Sequence, residues 1–382
     1  MAAVHLTRPS FMLPRALLTA LFISPLLSGC LGGDSDNNGN GTSTGKVNAL
    51  GVSGLSYQTA SQRGKTNTKG QFQYYPGETL NLWVGDLPIA EGVPAQEWVT
   101  PLEFFPDLRA QLQVPSVDDE GLSTHTITEQ QLITDVSLGN LTRFLIALNW
   151  TENVREGEGI EIRDRVIQQL NAALPSLSGA IDFTVSQTEF DATGTASSPA
   201  NQLLAEICFY PVGDELCEEP PTEIDITQAL DRPENENDWD PDEEYKQDLE
   251  ARKQRIIEAA RSMEEVDAED ARDYLKRELK KISTIIGNRF YLDNHTAEHA
   301  PNDTGIKQVK IRRIGGGIEL SDIGAITTRP QDVVLHSYSK QMAEVEYYVS
   351  GPAGGESEIV ISFSPENTYR WVRKNLRVVI TD

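Results

Sequence analysis

The chain has 382 residues, of which 38% are hydrophobic and 24% charged, with a formal charge of −25. That charge disfavours nucleic acid and anionic lipid headgroups as partners. The hydrophobic fraction is enough for real cores, and the length suggests two or three domains.

The first 29 residues read as an export signal. Arg8 and Arg15 supply a positive start, and Leu17 to Leu27 supply an apolar run too short to span a bilayer. Leu27-Ser28-Gly29-Cys30 then matches the bacterial lipobox, so cleavage before Cys30 and acylation of its thiol are expected. Each buried methylene of an acyl chain contributes about 0.8 kcal/mol, and several chains together give stable anchoring. Leu31 stands where an aspartate would favour the inner membrane, which points to the outer membrane of the cell envelope. Residues 30–46 are rich in Gly, Ser, Asn and Asp and read as a flexible tether. Asp36, Asn38, Asn40 and Gly41 imitate the start of an EF-hand loop, but Val47 occupies the position of its bidentate glutamate. Loss of the two signal arginines takes the mature charge to about −27.

Residues 47–105 read as a β module. Leu80, Leu82 and Val84 alternate with Asn81 and Trp83, and Gly-containing turns punctuate the segment. Gly64-Lys65-Thr66 resembles the end of a phosphate-binding loop without its leading glycine, and the serines of Gly-Val-Ser-Gly-Leu-Ser do not make a nucleophile elbow. Residues 106–217 read as helical and mixed. Leu141, Phe144, Leu145 and Leu148 fall at helical spacing, as do Ile162, Val166, Leu170 and Leu174. Cys208 and Cys217 form an even pair in an oxidising compartment and are expected to close a disulfide.

Residues 218–241 are acidic and proline-rich and read as a solvated linker, including the aspartates at 238 and 240. Residues 242–290 read as a helical hairpin. Tyr245, Leu249, Ile256, Ala260 and Met263 form one stripe; Asp267 is the expected N-cap of the second helix, with Asp270 completing a capping box and Gly287 as C-cap. The string His295-Thr296-Ala297-Glu298-His299 spells the inverted zinc-peptidase motif. Pro301 leaves no room for the helix that zinc binding would require, so a polar loop is expected there. Residues 305–382 read as alternating strands at Val309/Ile311, Val345/Tyr347/Val349, Ile359/Ile361/Phe363 and Leu376/Val378/Ile380. Tyr347, Tyr348, Tyr369 and Trp371 either face a ligand or partner or belong to the core.

The segment VSGLSYQTASQRGKTNTKGQFQYYPGETLNLWVGDL, followed by NLTRFLIAL and GIEI, resembles a recurring module of uncharacterised outer-membrane lipoproteins of gammaproteobacteria. The pattern is carried by Gly64, Thr66, Gly70, Phe72, Tyr74, Gly77 and Glu78 and covers roughly residues 51–162. The resemblance implies the same envelope address and transfers no functional residue. Some relatives carry an organic-solvent-tolerance or transporter label. Where relatives often have an Asp-Gly-Asp-Pro loop, this chain has NWTENVREGEG.

The expected fold class is α+β: a small antiparallel β module, a central helical region and a C-terminal antiparallel, sandwich-like β domain. Cys30 is the expected lipidation site and Cys208–Cys217 the expected disulfide. No catalytic residue, metal or cofactor is assigned. A non-catalytic envelope lipoprotein that binds or scaffolds is the leading expectation. Its partners are the membrane, through the anchor, and an envelope protein or small ligand. An accessory role in envelope transport or solvent tolerance, and a hydrolase using His295 or His336, are the alternatives.

Overall fold

Glycine turns and alternating apolar residues build the N-terminal part of the molecule. The computed structural model describes residues 41–151, 154, 156–301 and 303–382. Cys30, the export segment and the Asp36–Asn40 string lie outside the described residues. The first strands are β1 (Ser43–Val47), β2 (Val52–Ser53), β3 (Ser56–Gln58), β4 (Arg63–Lys65), β5 (Gln71–Tyr74), β6 (Thr79–Val84), β7 (Leu87–Pro94) and β8 (Trp98–Val99). All but β2, which pairs with Ile160–Glu161, form a sheet of order β5-β1-β8 and another of order β4-β3-β6-β7. β1 takes up residues expected in the tether, because Lys46 and Val47 pair with Trp98 and Val99. Leu80, Leu82 and Val84 are fully buried, as their alternation predicts.

Several residues of the segment 66–78 hold this module together. The Thr66 hydroxyl donates to the Val52 carbonyl at 2.7 Å and accepts from the Leu55 N–H at 3.0 Å. Gly70 has a φ of 72°, and a Cβ there would lie 2.6 Å from the Gly51 Cα, so only glycine fits. Phe72 and Tyr74 are buried, and Glu78 Oε2 accepts from the Thr59 hydroxyl and the Tyr75 N–H.

The middle of the chain carries α1 (Pro106–Leu112), β9 (Ser116–Val117), β10 (Ser123–Thr124), α2 (Thr126–Leu132), α3 (Val136–Ala147), β11 (Ile160–Glu161), α4 (Asp164–Ala173), α5 (Gln187–Phe190), α6 (Pro199–Ala205), α7 (Glu223–Gln228), α8 (Lys246–Glu258) and α9 (Ala268–Asn288). The apolar stripe of α3 is buried throughout, and the buried Arg143 on the same helix donates to the carbonyls of Met263 and Val266. Arg261 donates to the carbonyls of Ala147, Asn149 and Trp150, where α3 ends. Both arginines thus tie α3 to the chain between α8 and α9.

Three expectations change in this region. The acidic stretch is not all solvated linker: Thr222 and Asp225 form a capping box for α7, whose Ile226 is buried. Helices α8 and α9 do not pair as a hairpin. α8 packs on α7 and on the turn Glu215–Cys217, with Arg255 bound to Glu215 and Arg252 to Glu218 and Glu244, while α9 packs on α3. Asp267 does cap α9, accepting from the Glu269 and Asp270 N–H groups. Gly287, however, lies inside the last turn, and Arg289 is the C-cap.

The C-terminal part contains β12 (Phe290–Leu292), β13 (Thr296–His299), β14 (Lys307–Arg313), β15 (Leu320–Thr327), β16 (Val333–Ser339), β17 (Glu344–Val349), β18 (Glu356–Pro365) and β19 (Val372–Ile380). Two four-stranded sheets form, β12-β14-β17-β16 and β13-β19-β18-β15. All pairs are antiparallel except β13 with β19. The inward residues of both sheets, among them Val309, Val345, Ile361 and Leu376, share one core. The whole is α+β, and Thr42–Asp382 make one compact unit.

Cys208 and Cys217 are disulfide-bonded with Cα atoms 5.4 Å apart. The bond closes the turn against which α8 packs. Replacing both cysteines by serine is expected to lower the urea-derived unfolding free energy by about 2.5–3 kcal/mol, from the loop-closure entropy restored to the unfolded chain. A loss well below 1 kcal/mol would show that this turn is ordered without its crosslink.

Candidate functional site

Helix α2, helix α9 and the β18–β19 turn converge on a buried polar cluster. The start of α2 brings in His125 and its next turn brings in Glu129, four residues on, so both lie on one face. The turn brings in Tyr369 and Arg370, and Glu103 lies beside them. His125, Glu129, Glu103 and Arg370 are at most 5% exposed.

The hydrogen bonds fix the state of each group. The Trp371 N–H donates to His125 Nδ1 at 2.9 Å. Nδ1 is therefore the acceptor, and Nε2 carries the proton and donates to Ser283 Oγ at 3.0 Å. Burial, with Arg370 nearby, lowers the His125 pKa to about 3 and keeps the ring neutral. Glu129 Oε1 accepts from the Tyr369 hydroxyl at 2.7 Å and lies 3.6 Å from Arg370 Nε; Oε2 lies 3.8 Å from His125 Nε2. Glu103 accepts from the Thr100 N–H and hydroxyl. Burial raises the pKa of both glutamates, and Arg370 opposes that rise. The Arg370 guanidinium also stands over the Tyr369 ring at 4.4 Å.

Ser283, His125 and Glu129 have the composition of a nucleophilic triad but not its wiring. Activation of a serine needs an imidazole nitrogen that accepts its proton. Here the nitrogen facing Ser283 is the donor, because the backbone of Trp371 occupies the other one.

Beside this cluster a groove of about 460 Å³ runs between α2 and α9. Its α2 wall carries Thr126, Glu129, Gln130 and Ile133, and its α9 wall carries Lys276, Leu279, Lys280, Ser283 and Thr284. Both sets follow the i, i+3/i+4, i+7 spacing of one helix face.

The residues singled out in the sequence lie elsewhere. His299 does not sit in a polar loop: residues 296–299 form β13, paired with Arg377–Ile380, and His295 stands in the bend just before it, its carbonyl accepting from the Arg377 N–H. Backbone ladder bonds hold this segment extended, which places residues four apart on a strand about 13 Å from each other. His299 Nε2 instead meets the Tyr347 hydroxyl at 3.1 Å. His336 is exposed on β16. Lys65 pairs with Asp164, and Asp238 and Asp240 are exposed. Tyr347 belongs to the C-terminal core and Tyr369 to the other main core, whereas Tyr348 and Trp371 are half-buried. Among the described residues no group of three or more His, Cys, Asp or Glu could hold a metal ion, and no helix is long and apolar enough to cross a membrane.

No protein-family model matches the chain, and no curated protein matches it. Among solved structures, the S-layer protein SbsC domains 4 and 5 match with 15% identity over 24% of this chain and 50% of that one, at a TM-score of 0.18. The surface layer protein SbsC, domains 1–6, matches with 14% identity over 24% of this chain and 13% of that one, again at 0.18. This chain thus spans half the length of the first and a small part of the second, and likenesses this slight leave fold and function to the chain's own residues.

The buried imidazole makes stability depend on pH. The folded pKa of His125 lies below the unfolded value of about 6.5, so its contribution is full above that value and falls as pH drops toward 3, by about 1.4 kcal/mol per unit. The raised pKa values of Glu103 and Glu129 act in the opposite sense: their protonation favours the fold as pH falls. The difference between wild type and His125→Gln isolates the histidine. Urea titrations from pH 7 to pH 4 should show a smaller acid loss of stability in the variant by roughly 2–3 kcal/mol. Parallel curves for the two proteins would contradict a neutral, buried His125.

Proposed function

We propose that this chain is a non-catalytic lipoprotein of the bacterial cell envelope, acylated on Cys30, held at the outer membrane and acting by binding or scaffolding. The observation that carries the proposal is the register of the positive start, the short apolar run and the lipobox Leu27-Ser28-Gly29-Cys30. The folded body supports it, since strand β1 begins at Ser43, a short polar stretch after the cysteine. The wiring of His125 and the strand at Thr296–His299, where zinc binding would need a helix, disfavour the hydrolase alternative. In this reading the lipid makes the membrane the first partner, and the body offers its surface and the α2–α9 groove to an envelope protein or small ligand.

Detergent-phase partitioning of wild type and Cys30→Ser tests the anchor. Wild type is expected in the detergent phase, with Cys30→Ser either released to the aqueous phase or retaining an uncut signal. A processed variant that partitions like wild type would contradict lipid attachment at Cys30.

A further inference from the structure

The α2–α9 groove carries a donor set that the buried cluster creates. Because His125 Nε2–H donates to Ser283 Oγ, the serine hydroxyl keeps its own hydrogen, and that hydrogen has no acceptor among the described residues. Ser283 lines the groove, so the cluster turns it into a hydrogen-bond donor toward whatever occupies that space. Lys280 lies three residues before it, about 4.5 Å along the helix axis, within the span of one bridging carboxylate. Lys280 makes no ion pair among the described residues, and Lys276, one turn further back, pairs with the exposed Asp273. Glu129 also lines the groove, but its oxygens face Tyr369, Arg370 and His125. The rest of the lining is Thr126, Gln130 and Thr284 together with two apolar side chains, Ile133 and Leu279. In a chain of net charge −25, a groove with two lysines, one oriented hydroxyl donor and two apolar side chains is complementary to an anionic head and an apolar tail.

We infer that this groove binds a small amphipathic monocarboxylate, with its head bridging Lys280 and the Ser283 hydroxyl and its tail against Ile133 and Leu279. The inference rests on the binding reading above and gives it a ligand class and a place. The volume of about 460 Å³ lies within the range of small-molecule sites.

Calorimetric titration of the purified protein with octanoate tests this. Saturable one-to-one binding is expected, weakened at least tenfold in Lys280→Gln and severalfold in Ser283→Ala, and kept within threefold in Lys280→Arg. Acetate, which lacks the tail, and octylammonium, which reverses the head charge, should not compete. No saturable octanoate binding, an unchanged affinity in Lys280→Gln or Ser283→Ala, or equal competition by octylammonium would overturn the inference. The anchor is measured separately. Failure of octanoate binding with intact Cys30 partitioning removes the ligand and leaves the anchored scaffold, and the reverse result does the opposite.

Discussion

Helix α9 buries one continuous face in two cores, and most of the architecture depends on that. Tyr274, Leu275 and Leu279 enter the core shared by the N-terminal sheets and the central helices, while Ile282 and Ile286, one to two turns on, enter the core of the C-terminal sheets. Each fully buried side chain of this kind contributes about 1.5–3 kcal/mol relative to exposure. Polar contacts fix the helix against the β module: Asn48 Nδ2 donates to the Tyr274 hydroxyl at 2.9 Å, and Glu278 Oε2 accepts from the Leu50 N–H at 2.9 Å. A rotation of α9 would break these bonds and expose both apolar sets together.

The buried charges beside α9 follow from the same convergence. Two carboxylates and one guanidinium removed from water are costly, and their mutual attraction offsets that cost only with good partners. Tyr369 and Thr100 supply hydrogen bonds to Glu129 and Glu103. Arg370 Nε and Nη2 make no hydrogen bond among the described residues, so the arginine is held by charge and by the face of Tyr369. Such a cluster adds little net stability but specifies which surfaces meet, because a slipped arrangement leaves a bare charge inside. Its side effect is chemical: the backbone of Trp371 sets the tautomer of His125, and His125 orients Ser283 at the groove.

Much of the fold was legible in the sequence because it rests on periodicity. The alternation at Leu80–Val84, the run Ile359–Ile361–Phe363, the helical spacing from Leu141 to Leu148 and the Asp267–Asp270 cap all report local physics that tertiary contacts reinforce. The Cys208–Cys217 bond was legible from the even pair of cysteines beyond Cys30. What local pattern does not carry was misread or missed. Whether α8 turns back on α9 depends on partners distant in sequence, α7 for one helix and α3 for the other. Gly287 continues its helix because nothing forces a left-handed turn there. The strand at Thr296–His299 exists only because β19 offers it an edge more than seventy residues later. The candidate site was the least legible part, since patterning assigns Glu103, Glu129 and Arg370 to the surface. Only a polar residue one turn before apolar ones on the same helix face, such as Glu129 before Leu132 and Ile133, hinted at it.

The most direct test of α9 as the shared element is hydrogen exchange followed through increasing urea, comparing wild type with Ile282→Ala. The substitution truncates a side chain in the C-terminal core only and should cost about 2–5 kcal/mol. If α9 couples the two cores, the amides of β6 in one core and β18 in the other lose protection together, at the same lowered urea concentration. Loss of protection in β18 with β6 unchanged from wild type would show that the two cores unfold independently and would contradict the account.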